Sequence, residues 1–223
     1  MEIVLERQYR GPLTSANGGY ACGRLATFVA ADEVEVTLRL PPPLERRLEV
    51  RRDADAAMLF DGDALVADAR PARLELRPPD PVSLDEAEEA RARHIRVGDP
   101  VFAECFTCGV RDEQDGLGVY AGPVATREPL HAAPVTFASS AREIVWAAID
   151  CPGAYAVGAE GRGDMVLGRM TARVDREPEA GQTCVVAAWP LGEEGRKLFA
   201  GTALFAEDGE LLALARQVWI SPR

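Results

Sequence analysis

The stretch SSAREIVWAAIDCPGAY, residues 139–155, predicts one buried helix around which the rest of the chain can be arranged. Ser140 and Glu143 have the S-x-x-E spacing of a capping box, in which each side chain satisfies a backbone N–H of the first turn. Residues 144–149 are apolar on almost every side, which is typical of a helix that is buried all round. Asp150 then places one carboxylate at the end of the apolar run, before a Pro-Gly pair disturbs the helix. A carboxylate in so poorly solvated a position is either paired or functional.

A second helix is predicted near the N-terminus, over residues 15–31. The sequence TSANGGYACGRLATFVAA, residues 14–31, contains several capping residues, a glycine pair and an apolar run. Two glycines at a helix start cost helix stability, but they let another group approach the backbone N–H groups closely. The sequence therefore combines one helix that has an Asn-Gly-Gly entrance with another that carries an acid in its body.

Length and composition exclude several classes of protein. A chain of 223 residues can form one large domain or two of about 110 residues. The net charge of −11 disfavours nucleic acid or an anionic membrane as a partner. No segment has the pattern of a signal peptide or a bilayer-spanning helix, so we expect no membrane contact and a cytoplasmic location. Five cysteines at irregular spacing do not indicate a disulfide framework.

Alternating segments bounded by turns predict antiparallel strands after each helix. Residues 33–40, EVEVTLRL, alternate apolar and polar side chains as a half-buried strand does. Residues 60–74 and 205–220 share one pattern, an acidic-Gly turn followed by an apolar strand that ends in Ala-Arg. A long apolar helix followed by such strands implies a sheet wrapped round the helix. We therefore predict an α+β protein made by internal duplication, in which two antiparallel sheets, each wrapped round a long central helix (residues 15–31 and 140–157), pack side by side.

The predicted halves are separated by a linker. The N-terminal half covers residues 1–80, the linker residues 81–115 and the C-terminal half residues 116–223. Connections of this length usually cross a domain boundary. Within the linker, SLDEAEEARARH, residues 83–94, is charged on nearly every side and is interpreted as a short solvated helix rather than as part of a core.

This arrangement resembles the hot-dog fold in its double form, and most closely the acyl-CoA thioesterases of that superfamily. The resemblance rests on Asn17-Gly18-Gly19 at one helix start and on IDCPGAYA, residues 149–156, in the other helix. Such thioesterases often begin the helix with His-Gly-Gly, and the backbone N–H beside the glycine pair polarises the thioester carbonyl. An acid, commonly presented across the dimer interface, serves as base or nucleophile. The resemblance thus implies that Gly18 and Gly19 bind the substrate.

Carrying the motif over residue by residue produces an asymmetry between the halves. Asn17 stands where His is usual in the first half, and Ala26 occupies the position of the acid. The second half has the acid, Asp150, but residues 141–143 are Ala-Arg-Glu where the glycine pair would be. The resemblance therefore implies one composite site, with Asp150 and Asn17 as its catalytic residues, in which the Asn17 amide orients a carbonyl or a water.

Each candidate also has a purely structural explanation. Asn17 and the glycines after it can cap a helix and allow tight helix packing. Asp150 can be a buried acid satisfied by an arginine or a backbone amide. Glu143 is interpreted as a cap rather than as a base.

The pair Cys105-x-x-Cys108 suggests zinc or redox chemistry, but no second CxxC is present and the chain has only two histidines. Because partner ligands of the right kind are scarce, we predict that this pair binds no metal. Cys22 and Cys151, on the two central helices, are interpreted as small buried hydrophobic residues.

Two further reaction classes find less support. A Ser-His-Asp triad would have to recruit His94 or His131 from a loop or strand, and the G-x-S-x-G motif is absent from the sequence. Hydratases that share the hot-dog fold use an Asp and His pair, and no His lies a few residues after the acid of a central helix here.

The sequence therefore predicts an acyl-CoA thioesterase or a close relative that needs no cofactor. The alternative is a non-catalytic protein that kept the fold and binds acyl-CoA or another lipid. The expected partner is an acyl thioester, and the resemblance is compatible with a homodimer of such chains.

Overall fold

The computed structural model describes residues 1–96, 100–112, 115–162 and 165–221. Its helices are α1 (Gly18–Ala26), α2 (Leu84–Arg91), α3 (Arg142–Ala148), α4 (Cys151–Ala156) and α5 (Ala159–Arg162). Its strands are β1 (Glu2–Ile3), β2 (Glu33–Leu38), β3 (Leu48–Asp53), β4 (Ala56–Asp61), β5 (Ala64–Pro71), β6 (Gly122–Pro123), β7 (His131–Thr136), β8 (Val166–Val174), β9 (Thr183–Glu194), β10 (Lys197–Ala206) and β11 (Leu211–Ile220). None of the described helices is long and apolar enough to cross a membrane.

All of these strands belong to one antiparallel sheet, in the order β1-β3-β4-β5-β2-β8-β11-β10-β9-β7-β6. Strands β1–β5 and β7–β11 therefore follow the same relative order, and in each set the helices α1 and α3–α4 come after the first strand. The two sets join where β2 pairs with β8, with Val36 opposite Met170. The two sheets predicted to pack side by side are joined into one in the structure, because the edge strands β2 and β8 satisfy their backbone groups by pairing with each other.

The two faces of the sheet carry different helices. The main core lies on the face covered by α1, α3 and α4, and it includes Val186 of β9. Its neighbours Val185 and Ala187 belong to a second cluster with Ala87 and Ala90 of α2. Since successive residues of a strand point to opposite faces, α2 covers the face opposite to α1.

The predicted linker is consequently more than a solvated connector. Ala87 and Ala90 of α2 are fully buried against the sheet, while the charged residues of the helix remain largely exposed. Ser83 and Glu86 form a complete capping box at its N-terminus. Residues 97–99 and 113–114 of the predicted linker, and residues 163–164 and 222–223 of the predicted C-terminal half, lie outside the described residues.

Both predicted central helices are shorter in the structure. Helix α1 begins at Gly18 and ends at Ala26, because the Phe28 and Val29 N–H groups bond to carbonyls three residues back and the chain turns towards β2. The second predicted helix is divided into α3 and α4 on either side of Ile149 and Asp150. Proline at position 152 lacks an N–H and clashes with the carbonyl four residues earlier, so one continuous helix cannot form.

The predicted capping box at the second helix is also wrong. The N-cap of α3 is Ala141, which provides no side-chain hydrogen bond. Glu143 instead forms an ion pair with Arg24 of α1, with a distance of 3.1 Å between Nη1 and Oε1. Pairing across the helices therefore replaces the local bond that the S-x-x-E spacing suggested.

Candidate functional site

A cavity of about 630 Å³ lies where β2, β8 and the end of β11 meet the N-terminus of α1 and the helix α4. This volume is within the range of about 300–1,000 Å³ that is typical of small-molecule sites. The larger apolar residues of its wall are Leu38, Leu40, Phe102, Met165, Leu167, Trp219 and Ile220. A group of more polar side chains and a glycine lines it as well: Asn17, Gly18, Cys105, Cys108, Asp150, Cys151 and Tyr155. Both halves of the sheet therefore contribute to one cavity.

Asp150 occupies the joint between α3 and α4. Gln217 Nε2 of β11 donates to the carbonyls of both Ile149 and Asp150, at 2.6 and 3.1 Å. The Asp150 carbonyl also accepts a hydrogen bond from the Gly153 N–H at 3.1 Å. Gln217 is fully buried, and its Oε1 accepts a hydrogen bond from Trp219 Nε1 at 2.7 Å. A buried amide on the neighbouring strand thus holds the joint that presents the carboxylate.

The carboxylate of Asp150 faces the N-terminus of α1. Its Oδ2 accepts a hydrogen bond from the Gly19 N–H at 2.9 Å, and the residue is 2% exposed. Burial raises the pKa of Asp150 to about 7, although the hydrogen bond from Gly19 opposes this shift. Its Oδ1 is buried and makes no hydrogen bond with any described residue. One oxygen is therefore held in place and the other remains available.

The glycines of α1 allow this approach because they bring the backbones of α1 and α3 together. A Cβ on Gly19 would lie 2.6 Å from Asp150 Cβ, and one on Gly23 would lie 2.7 Å from Glu143 Cα. Gly19, near the start of α1, meets Asp150 just after the end of α3, whereas Gly23, further along α1, meets Glu143 near the start of α3. The two helices are therefore antiparallel. The sequence analysis assigned the glycine pair to substrate approach and gave Gly23 no role.

The two glycines of the pair have different surroundings. The Gly19 N–H is engaged by Asp150, whereas the Gly18 N–H has no hydrogen-bond partner among the described residues. Gly18 lines the cavity, and the nearest side chains to it are Leu167 and Leu38. Of the two predicted substrate-binding glycines, Gly18 is therefore the one whose N–H can meet a ligand.

Asn17 is buried, and both ends of its amide are engaged. Its Oδ1 accepts from the Tyr20 N–H at 2.9 Å, which makes it the N-cap of α1. Its Nδ2 donates to Thr107 Oγ1 at 3.3 Å, and Thr107 donates in turn to the Ala147 carbonyl of α3 at 2.8 Å. Asn17 thus ties α1 to the loop before β6 and to the end of α3. This network gives Asn17 a positioning role, and its predicted catalytic role stays a prediction.

Three thiols lie next to Asn17. Cys105 and Cys108 come from the loop and Cys151 from the first turn of α4, and their Sγ atoms all lie within 4.8 Å of one another. Asn17 Nδ2 lies 3.8 Å from Cys105 Sγ and 3.9 Å from Cys151 Sγ. Hydrogen bonds from Cys108 and Cys151 hold the pKa of Cys105 well below its usual range, and donating them raises the pKa values of the other two thiols.

Thr107 and Gln217 were not predicted from the sequence, and neither was the position of Cys151 beside the other two cysteines. No local pattern marks Thr107 or Gln217, because each acts on a residue that is distant in sequence. The C-x-x-C spacing does mark the loop, but only the fold shows that a third thiol completes the group.

Comparisons with known proteins relate the chain to solved structures alone. No protein-family model matches the sequence, and no curated protein matches it. A conserved protein of unknown function with a hot-dog fold from Alicyclobacillus acidocaldarius is 12% identical, with a TM-score of 0.68 over 100% of this chain and 92% of the other. A candidate thioesterase from Novosphingobium aromaticivorans is 14% identical, with a TM-score of 0.68 over 100% of this chain and 95% of the other.

The name of a third similar structure describes a different enzymatic activity. It is the dehydratase domain of a mycocerosic acid synthase-like polyketide synthase, which is 14% identical, with a TM-score of 0.59 over 99% of this chain and 90% of the other. At such identities the likeness concerns the fold and not the reaction. The resemblance seen in the sequence is confirmed at that level: the chain has the hot-dog fold.

Proposed function

We propose that this chain is a double hot-dog protein that hydrolyses acyl-CoA thioesters at the cavity between its halves. The observation that carries the proposal is that Asp150 and Gly18 line the same cavity, while Asp150 Oδ1 and the Gly18 N–H have no hydrogen bond to any described residue. A hydrolase of this kind needs a base within reach of water and a fixed donor for the developing oxyanion. The repeated strand order supports the duplication on which a composite site depends.

The reaction follows from these two groups. The thioester carbonyl accepts a hydrogen bond from the Gly18 N–H, which also lies at the positive end of the α1 dipole. Asp150 Oδ1 removes a proton from a water molecule while the water oxygen bonds to the carbonyl carbon. The tetrahedral intermediate then collapses, the C–S bond breaks, and the proton passes from Asp150 to the departing thiolate. The products are a carboxylic acid and a free thiol, and Asp150 is regenerated.

The remaining walls suit the two parts of an acyl-CoA. The apolar residues contributed by β2, β8 and β11 can bury an acyl chain. Arg39 and Arg96 also line the cavity, and guanidinium groups suit the phosphates of coenzyme A. Arg39 is also ion-paired with Asp68, with a distance of 2.6 Å between Nε and Oδ1.

The test is release of free thiol from a panel of acyl-CoAs that differ in chain length and branching. Asp150→Asn keeps the shape of the side chain and removes its basicity, so kcat should fall about 100-fold or more. Asp63→Asn, at an exposed position in the turn between β4 and β5, is the matched control and should leave kcat unchanged. Full turnover by a folded Asp150→Asn variant would refute the assignment of the base.

The alternative from the sequence, a non-catalytic acyl-CoA or lipid binder, makes a different prediction for the same panel. It requires saturable binding of an acyl-CoA, measured by calorimetry, without thiol release by the unmodified protein. A hydrolase requires both binding and release, and Asp150→Asn should then keep the binding.

A further inference from the structure

The group of three thiols beside the proposed catalytic residues has the arrangement of a metal site. The Sγ atoms of Cys105, Cys108 and Cys151 lie within 4.8 Å of one another, and those of Cys105 and Cys151 are 3.6 Å apart. In a tetrahedral zinc site with Zn–S bonds of about 2.3 Å, the sulfurs are roughly 3.8 Å apart. We propose that these three cysteines bind one Zn²⁺ ion, whose fourth coordination position faces the cavity.

The loop that carries two of the ligands is shaped round the first of them. The Gly109 N–H donates to the Cys105 carbonyl at 2.8 Å, and a Cβ on Gly109 would collide with the Cys105 backbone. The C-x-x-C-G segment therefore forms a tight turn that directs both of its thiols to one point.

The outer contacts of the group support the same conclusion. Asn17 Nδ2 lies within 4 Å of two of the sulfurs, at 3.8 and 3.9 Å, and can donate to them. Donors in this position orient thiolate ligands and balance their charge. Thr107, which is fully buried, fixes the loop to the end of α3 through its bond to the Ala147 carbonyl. The group is thus held by α1, α3 and α4 at once.

The donor atoms and their access select the ion. Three sulfur ligands favour zinc over the hard cations magnesium and calcium. The three cysteines are 1%, 8% and 8% exposed, and all of them line the cavity, which provides the entry path. Sites with three protein ligands leave one position for a water or a substrate atom. The prediction that Cys105 and Cys108 bind no metal rested on a scarcity of partner ligands, and the structure supplies a third thiol ligand in Cys151.

The inference does not depend on thioester hydrolysis, because it is tested by metal binding alone. The unmodified protein, purified without chelators and supplied with Zn²⁺, should retain one zinc per chain after dialysis. Replacement by Co²⁺ should produce the sulfur-to-cobalt charge-transfer absorption, whose intensity grows with the number of thiolate ligands. Intensity typical of three thiolates is expected.

Cysteine variants locate the site. Cys105→Ala, Cys108→Ala and Cys151→Ala should each weaken zinc binding by more than the roughly 10- to 100-fold cost of losing an outer-shell partner. Cys22→Ala and Cys184→Ala are the matched controls, since both thiols are fully buried outside the group, and they should bind zinc as the unmodified protein does.

Three results would overturn the inference. They are a zinc content near zero after dialysis, a cobalt spectrum without thiolate absorption, and retention of zinc by all three variants of the group. Thiol titration of the freshly purified protein that finds a disulfide between Cys105 and Cys151, without metal, would also contradict it. The cobalt spectrum of the unmodified protein keeps the test decisive if a variant does not fold.

Discussion

Replacing Gly19 with Ala tests the close packing that brings Asp150 to the N-terminus of α1. The new Cβ would lie 2.6 Å from Asp150 Cβ and would overlap the Trp146 carbonyl oxygen, so α1 and α3 must move apart. Overpacking of this kind costs about 1–3 kcal/mol, and loss of the bond between the Gly19 N–H and the carboxylate costs about 1.5–3 kcal/mol. Ala favours a helix over Gly by about 1 kcal/mol.

The expected net loss in the free energy of unfolding is therefore about 1.5–5 kcal/mol. For a chain of this size, such a loss lowers Tm by roughly 3–20 °C. Urea unfolding followed by circular dichroism measures the free energy, and thiol release from an acyl-CoA at a temperature where the variant is folded measures turnover. Because the carboxylate moves with α3, turnover per folded molecule should fall as well.

Two further glycines serve as controls for Gly19→Ala. Gly23→Ala places its Cβ 2.7 Å from Glu143 Cα, at the far end of α3 from Asp150, so it should lose stability but lower turnover less than Gly19→Ala does. Gly161→Ala in α5 meets nothing within 4 Å and should be as stable as the unmodified protein. The reasoning is refuted if Gly19→Ala unfolds with the unmodified protein, or if Gly23→Ala loses as much turnover.

Four other substitutions test the helix joint, the buried face of α2 and the ion pair between α1 and α3. Gln217→Met removes the buried amide that holds the α3–α4 joint, so it should cost about 1–3 kcal/mol in urea unfolding and lower thiol release. Ala87→Arg forces a charge into the fully buried contact between α2 and the sheet, so it should lower the free energy of unfolding by at least about 3 kcal/mol. Glu88→Arg, on the exposed face of α2, is the control and should change that free energy by less than about 0.5 kcal/mol. Glu143→Gln breaks a partly exposed ion pair with Arg24, so the same measurement should show a loss of no more than about 1 kcal/mol.

The features that could be predicted from the sequence are those that local patterns encode. The alternating segment at residues 33–40 contains the antiparallel strand β2, and the acidic-Gly turn connects the antiparallel strands β10 and β11. Asp150 could be identified as a candidate because burying a carboxylate at the end of an apolar run costs free energy unless the carboxylate is paired or functional. Its role as a base and that of Gly18 as an oxyanion donor remain predictions.

Other predictions failed where a distant contact competes with a local one. The Ser140 and Glu143 capping box did not form, because Glu143 meets Arg24 across the helix pair. The length of the second helix was overestimated, since Pro152 interrupts the hydrogen bonds and Gln217 stabilises the carbonyls at the interruption.

By itself the sequence determined the class of fold and marked the acid and the Asn-Gly-Gly segment, because periodicity, turns and caps depend on neighbouring residues. Only the tertiary structure decided that β2 and β8 merge two sheets into one, and that Cys151 joins Cys105 and Cys108. It also decided which glycine of α1 meets the cavity and which meets Asp150. Contacts between residues more than a hundred positions apart depend on how the halves pack, and no local pattern carries that information.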